Sequence, residues 1–108
     1  MNHIEIIRIR LHNLSDNDQV TIFFQQFKEK LGKLRNQNMM IALLRNTKIE
    51  NDWSIHLTSL KDSACREVSY MALIIAETFR AIGIVNHDIW KPVFPKKYEE
   101  NNRKDIDS

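Results

Sequence analysis

The chain has 108 residues, 43% hydrophobic and 28% charged, with a formal net charge of +2 and only two glycines and two prolines. These values describe one ordinary globular domain with little linker, and a pI near 8.8 falls short of the basic balance of a dedicated nucleic-acid binder. The single cysteine, Cys65, excludes an internal disulfide and points to a reducing, cytoplasmic setting.

In chain order, His3 to Leu11 reads as a first strand. Ile4, Ile6, Ile9 and Leu11 alternate with Glu5, Arg8 and Arg10, with a slip at Ile6–Ile7 that suggests a bulge or a strand buried on both faces. Glu5 and Arg8 also break the apolar run, so no signal peptide is expected. Ser15 is suited to cap a helix, with Asp18 three residues on. Val20, Phe23, Phe24, Phe27, Leu31 and Leu34 follow at helical spacing, and Gly32 is placed to end the helix, which predicts a span from about Asp16 to Leu31.

Met39 to Leu44 is a continuous apolar run, short enough to be a strand buried on both faces. Trp53 to Leu60 is the next strand, with Trp53, Ile55 and Leu57 on one face and Ser54, His56 and Thr58 on the other. Asp62 or Ser63 is placed to cap a second helix. Its apolar stripe is Val68, Met71, Ala72, Ile75, Phe79 and Ile82, widened by Leu73, Ile74 and Ala76, and Gly83 stops it. Met71 to Ala76 is far too short to span a bilayer, so no membrane contact is expected. Ile84 to Trp90 reads as a last strand. Residues 1–94 are thus expected to form a single domain and residues 95–108 a polar, disordered tail.

The element order β-α-β-β-α-β predicts an α+β, ferredoxin-like domain: a four-stranded antiparallel sheet with both helices on one face. The helix side is expected to carry Ile4, Ile6, Ile9, Trp53, Ile55 and Leu57. The open face is then left with Glu5, Arg8, Arg10, Ser54, His56 and Thr58, together with half of the Met39–Leu44 run. An open face this mixed suggests that something covers it.

In element order and in the Met39–Leu44 run the chain resembles the dimeric α/β-barrel superfamily over about Ile4 to Trp90. That superfamily includes antibiotic-biosynthesis-monooxygenase-like proteins, which act on polyketide quinols without a cofactor, and also haem-degrading enzymes and stress-responsive barrels. The resemblance implies a homodimer packed sheet against sheet and a small-molecule pocket between sheet and helices in each protomer. The amino-acid-binding regulatory ACT domain shares the fold. Its usual glycine in the first strand–helix turn is replaced here by Asn13-Leu14-Ser15-Asp16.

His56 is the candidate catalytic residue, a general base on a central strand between Ser54 and Thr58, against the plainer reading of a hydrogen-bonded histidine. Trp53, Phe23, Phe27, Met71 and Phe79 are the candidate ligand pocket for a small apolar or aromatic molecule, although helix-spaced aromatics are more often core. His87 neighbours Asp88 in sequence but points to the other face, which favours a structural role. Cys65, in the first turn of the second helix, reads as a small buried residue. The four histidines lack ligand spacing, so no metal and no cofactor are expected. Arg8, Arg10 and Arg45 could form a cationic patch, but without stacking aromatics on the sheet RNA binding is not expected. Glu5 pairing with Arg8 or Arg10 across a dimer interface explains these charges more simply. Two functions remain open: a homodimeric small-molecule-binding protein with cofactor-free monooxygenase-like activity, or a non-catalytic regulatory or interaction module whose sheet face is only a dimer interface.

Overall fold

The computed structural model describes residues 3–33 and 38–93, without the side chains of 31–33. Strands β1 (Ile4–Leu11), β2 (Met39–Arg45), β3 (Asp52–Ser59) and β4 (Gly83–Trp90) form one antiparallel sheet in the order β2-β3-β1-β4. Helices α1 (Asn17–Lys33) and α2 (Cys65–Phe79) complete the βαββαβ order expected from the sequence. The predicted Leu34 of the first helical stripe and the tail from 95 on lie outside the described residues.

The core lies between the sheet and the helices. Ile7, Ile9 and Leu11 of β1 and Trp53, Ile55 and Leu57 of β3 meet Val20 and Phe27 of α1 and Val68, Met71, Ala72, Ile75, Ala76 and Phe79 of α2. β4 approaches β1 closely at Gly83, opposite Leu11. A Cβ at Gly83 would sit 2.5 Å from the Arg10 carbonyl oxygen, a contact that only glycine avoids.

The register of β1 differs from the expected one. There is no bulge, because β1 pairs residue for residue with β3 and with β4. Glu5, Ile7, Ile9 and Leu11 therefore face the helices, while Ile4, Ile6, Arg8 and Arg10 occupy the open face. Ile4 and Ile6 were expected inside and Glu5 outside, and all three are reversed. A period of two cannot be broken once both neighbours hold the register. The inward carboxylate is tolerated because it is hydrogen-bonded.

β2 was expected to be buried on both faces. It is instead an edge strand, with Met39, Ile41 and Leu43 half-buried toward the helices and Met40, Ala42 and Leu44 exposed on the open face. Both helices are entered through 3-10 turns (Leu14–Asp16 and Asp62–Ala64), so Ser15, Asp62 and Ser63 are not the capping residues. In the first turn the Asp16 amide donates to the Asn13 carbonyl at 3.1 Å. α1 continues through Gly32 to Lys33, and α2 ends at Phe79, short of Ile82. Leu73 points to solvent rather than widening the buried stripe.

Candidate functional site

At one end of the helix face, strand alternation turns Glu5 inward to complete burial, at 0% exposure. An isolated carboxylate there would cost several kcal/mol in lost hydration. Three donors from three separate elements offset this cost. His87 of β4, diagonal to Glu5 on the same face, places Nε2 2.7 Å from Oε1. His3, two residues before Glu5 and hence on the same face, places Nε2 2.9 Å from Oε2. Ser69, on the sheet side of α2, donates its hydroxyl to the same Oε2. Beside them the His3 amide donates to Ser59 Oγ at 3.0 Å, and Ser59 Oγ lies 3.3 Å from Cys65 Sγ.

With Glu5 ionised it can only accept, so both imidazoles present Nε2–H to it. Each neutral ring is then held in one tautomer with Nδ1 unprotonated. The His3 and His87 side chains are 19% and 16% exposed, so both rings reach the edge of the core. A carboxylate that fixes the tautomer and orientation of an imidazole is half of the arrangement used for general-base chemistry. Among the described residues, no three His, Cys, Asp or Glu side chains come together in a way that could hold a metal ion.

His56 lies on the opposite face of the sheet, opposite Ile6 and Ala42, with Nε2 3.0 Å from Ser54 Oγ. Trp53 is on the helix face, opposite Ile9. Its indole N–H donates to Asn17 Oδ1 at 2.9 Å, and the Arg45 guanidinium covers its ring at 4.9 Å. Phe79 is the centre of an aromatic group, edge-on to Phe23 at 5.5 Å and tilted to Phe27 at 6.4 Å. Met71 joins the same buried cluster. The structure thus brings the proposed aromatic residues together and leaves His56 across the sheet from them. Glu5 and Trp53 sit at opposite ends of the helix face, four residues or roughly 13 Å apart along the strand.

Sequence reading missed Glu5, His3 and Ser69 as a group and gave His87 only a structural role. A signal was available: Glu5, Ile7, Ile9 and Leu11 form an unbroken period of two, whereas the frame built on Ile4 and Ile6 needs a slip. The suggested pairing of Glu5 with Arg8 or Arg10 is overturned, because Glu5 points away from both.

On the open face, a groove of about 430 Å³ lies over Arg8, Ser54 and Asn86, near Arg10, Asp52 and Arg45. Arg10 grips Asp52 with Nε at 2.8 Å and Nη2 at 2.9 Å. These hydrogen bonds, more than the charge alone, hold the Asp52 carboxyl below its ordinary range.

The same architecture occurs in solved structures. SnoaB, a cofactor-independent oxygenase from Streptomyces nogalater, superposes with a TM-score of 0.63 at 15% identity, over 88% of this chain and 96% of that one. The fold is also shared with solved structures named as antibiotic biosynthesis monooxygenases. A candidate member of that group from Nitrosomonas europaea matches with a TM-score of 0.65 at 9% identity, over 87% of this chain and 92% of that one. The de novo designed protein Ferredog-Diesel matches with a TM-score of 0.63 at 17% identity, over 84% of this chain and 85% of that one. At these identities the likeness is one of fold, and a designed chain shares it as fully as an oxygenase does. No family model and no curated protein matches the chain by sequence. Among the described residues, no helix is long and apolar enough to cross a membrane.

Proposed function

We propose that this chain is a homodimeric, monooxygenase-like enzyme that binds a small apolar or aromatic molecule between sheet and helices and begins its chemistry by removing a proton. The observation that carries this reading is the wholly buried Glu5 carboxylate shared by His87, His3 and Ser69. Glu5 orients His87, and the Nδ1 of His87 takes the proton. The substrate class is an aromatic compound with an acidic CH₂ or phenolic group, whose anion is electron-rich enough to react with dioxygen directly. The step balances as R₂CH₂ + O₂ → R₂C=O + H₂O: the substrate carbon is oxidised, one oxygen atom enters the product and the other leaves as water. The mixed open face, with exposed Met40, Leu44 and Trp90, is the surface on which a second copy packs.

Oxygen uptake with anthrone as probe tests the reading. Wild-type protein is expected to raise uptake well above buffer, and His87→Ala and Glu5→Gln to lower it by about 10²-fold or more, the usual contribution of a positioned base. His56→Ala is expected to retain most of the rate. Uptake at the buffer level would leave a non-catalytic module. Loss with His56→Ala but not with His87→Ala would move the chemistry to the open face. Light scattering should give about twice the chain mass of 12.8 kDa.

A further inference from the structure

We propose that Ser69 of α2 is a positioning residue for His87: it fixes the plane of the Glu5 carboxylate, and through that plane the direction in which His87 Nδ1 points. This role rests on the interior reading above and adds to it the group that makes His87, rather than His3, the base. The two oxygens of Glu5 are used unequally. Oε1 accepts from His87 alone, at 2.7 Å. Oε2 accepts from His3 at 2.9 Å and also from the Ser69 hydroxyl.

His3 adjoins β1 and His87 lies on β4, so both belong to the sheet layer. Two contacts to one carboxylate define only a line, about which the group can rock. Ser69 comes from the helix layer, 64 residues away in sequence, and a third contact from outside that line defines a plane. A hydrogen bond to a carboxylate is best made when the N–H lies near that plane. The plane therefore decides how the His87 ring settles on Oε1. α2 is itself a firm support, because Val68 and Ala72 on its sheet side are both 0% exposed.

The same unequal sharing separates the two histidines. Both rings reach the edge of the core, and among the described residues neither Nδ1 has a hydrogen-bond partner. Both are open to a proton there. His3, however, shares its oxygen with Ser69, whose hydroxyl already draws on the lone pairs of Oε2. His87 has Oε1 to itself. The charge-assisted bond that forms when its ring takes up a proton is therefore undivided.

The test is the imidazole nitrogen spectrum of the full chain, labelled with nitrogen-15 histidine, in Ser69→Thr and Ser69→Val. These two variants share one shape and differ in the hydroxyl, so any change in packing is common to both. Wild type and Ser69→Thr should show His87 as a single tautomer with its proton on Nε2. Ser69→Val should move both His87 nitrogens toward the average of two exchanging tautomers and leave His56, on the other face, unchanged. Ser69→Ala gives the same reading if the β-branched variants do not fold. In oxygen uptake with anthrone, Ser69→Val should lower kcat about tenfold with KM unchanged, a fraction of the effect of removing the base itself. His3→Gln keeps a donor for Oε2 and should keep most of the rate. A His87 spectrum that is the same with and without the hydroxyl would overturn the proposal, as would uptake lost in His3→Gln and retained in His87→Ala. Uptake at the buffer level in wild type would remove the interior reading alone, because the spectra still decide whether Ser69 positions His87.

Discussion

The two faces of the sheet handle charge in opposite ways. The helix face holds a single described carboxylate, Glu5, and surrounds it with three hydrogen-bond donors. The open face holds Arg8, Arg10, Asp52 and Asp88, and among the described residues only Arg10 and Asp52 are joined by an ion pair there. Water explains the contrast. In the single chain a charge on the open face keeps its hydration, so the fold need not satisfy it. A charge under the helices has lost its hydration, so the fold must. An inward ionisable group with a complete set of partners is a position the chain maintains.

That contrast can be broken from its buried side first. Phe79→Ala removes the ring on which Phe23 and Phe27 converge and should cost about 3–5 kcal/mol in urea unfolding. Glu5→Ala leaves three donors facing an apolar gap and should cost about 2–3 kcal/mol. A neutral result would mean that His3, His87 and Ser69 find water instead, and the helix face would lose its distinction from the open one. Gly83→Ala forces the β4 backbone away from Arg10 and should cost about 1–3 kcal/mol. On the open face, Leu44→Lys should change the stability of the isolated chain by no more than about 0.5 kcal/mol. Its effect should appear instead as a lower solution mass.

The smallest effect is electrostatic. Arg10 lowers the Asp52 carboxyl below its ordinary value of 3.8. A lowered folded-state value means that the pair stabilises the fold above that pH and loses its contribution as pH falls through the folded value. Both side chains are partly solvated, so the acid-side loss should be slight and should disappear in Asp52→Asn, read as the unfolding midpoint against pH.

Much of the fold was legible in the sequence because two helices and four strands announce themselves by period. The faces of β3 followed from Trp53, Ile55 and Leu57 without error. β1 was harder. Its three N-terminal isoleucines, Ile4, Ile6 and Ile7, fit either frame, and hydrophobicity alone prefers the one that excludes Glu5. Partners far away in sequence decide the matter: His87 is 82 residues from Glu5 and Ser69 is 64. No local pattern reports them. The same limit applies to β2, where a continuous apolar run gives no sign of lying at an edge. It applies also to the helix starts, where 3-10 turns take up the residues that looked like caps.

The edge position of β2 has a consequence for how the protein behaves in concentrated solution. Met39 to Leu44 is six uncharged residues long, and the first charge on the strand is Arg45. One row of its backbone amides and carbonyls is unpaired by β3, and no proline or lysine interrupts it. Such an edge is a template for strand addition by another chain, the starting geometry of aggregation. Loss of soluble protein on storage should therefore rise with concentration well below the unfolding temperature. A lysine placed at Ala42 should suppress it without disturbing the core.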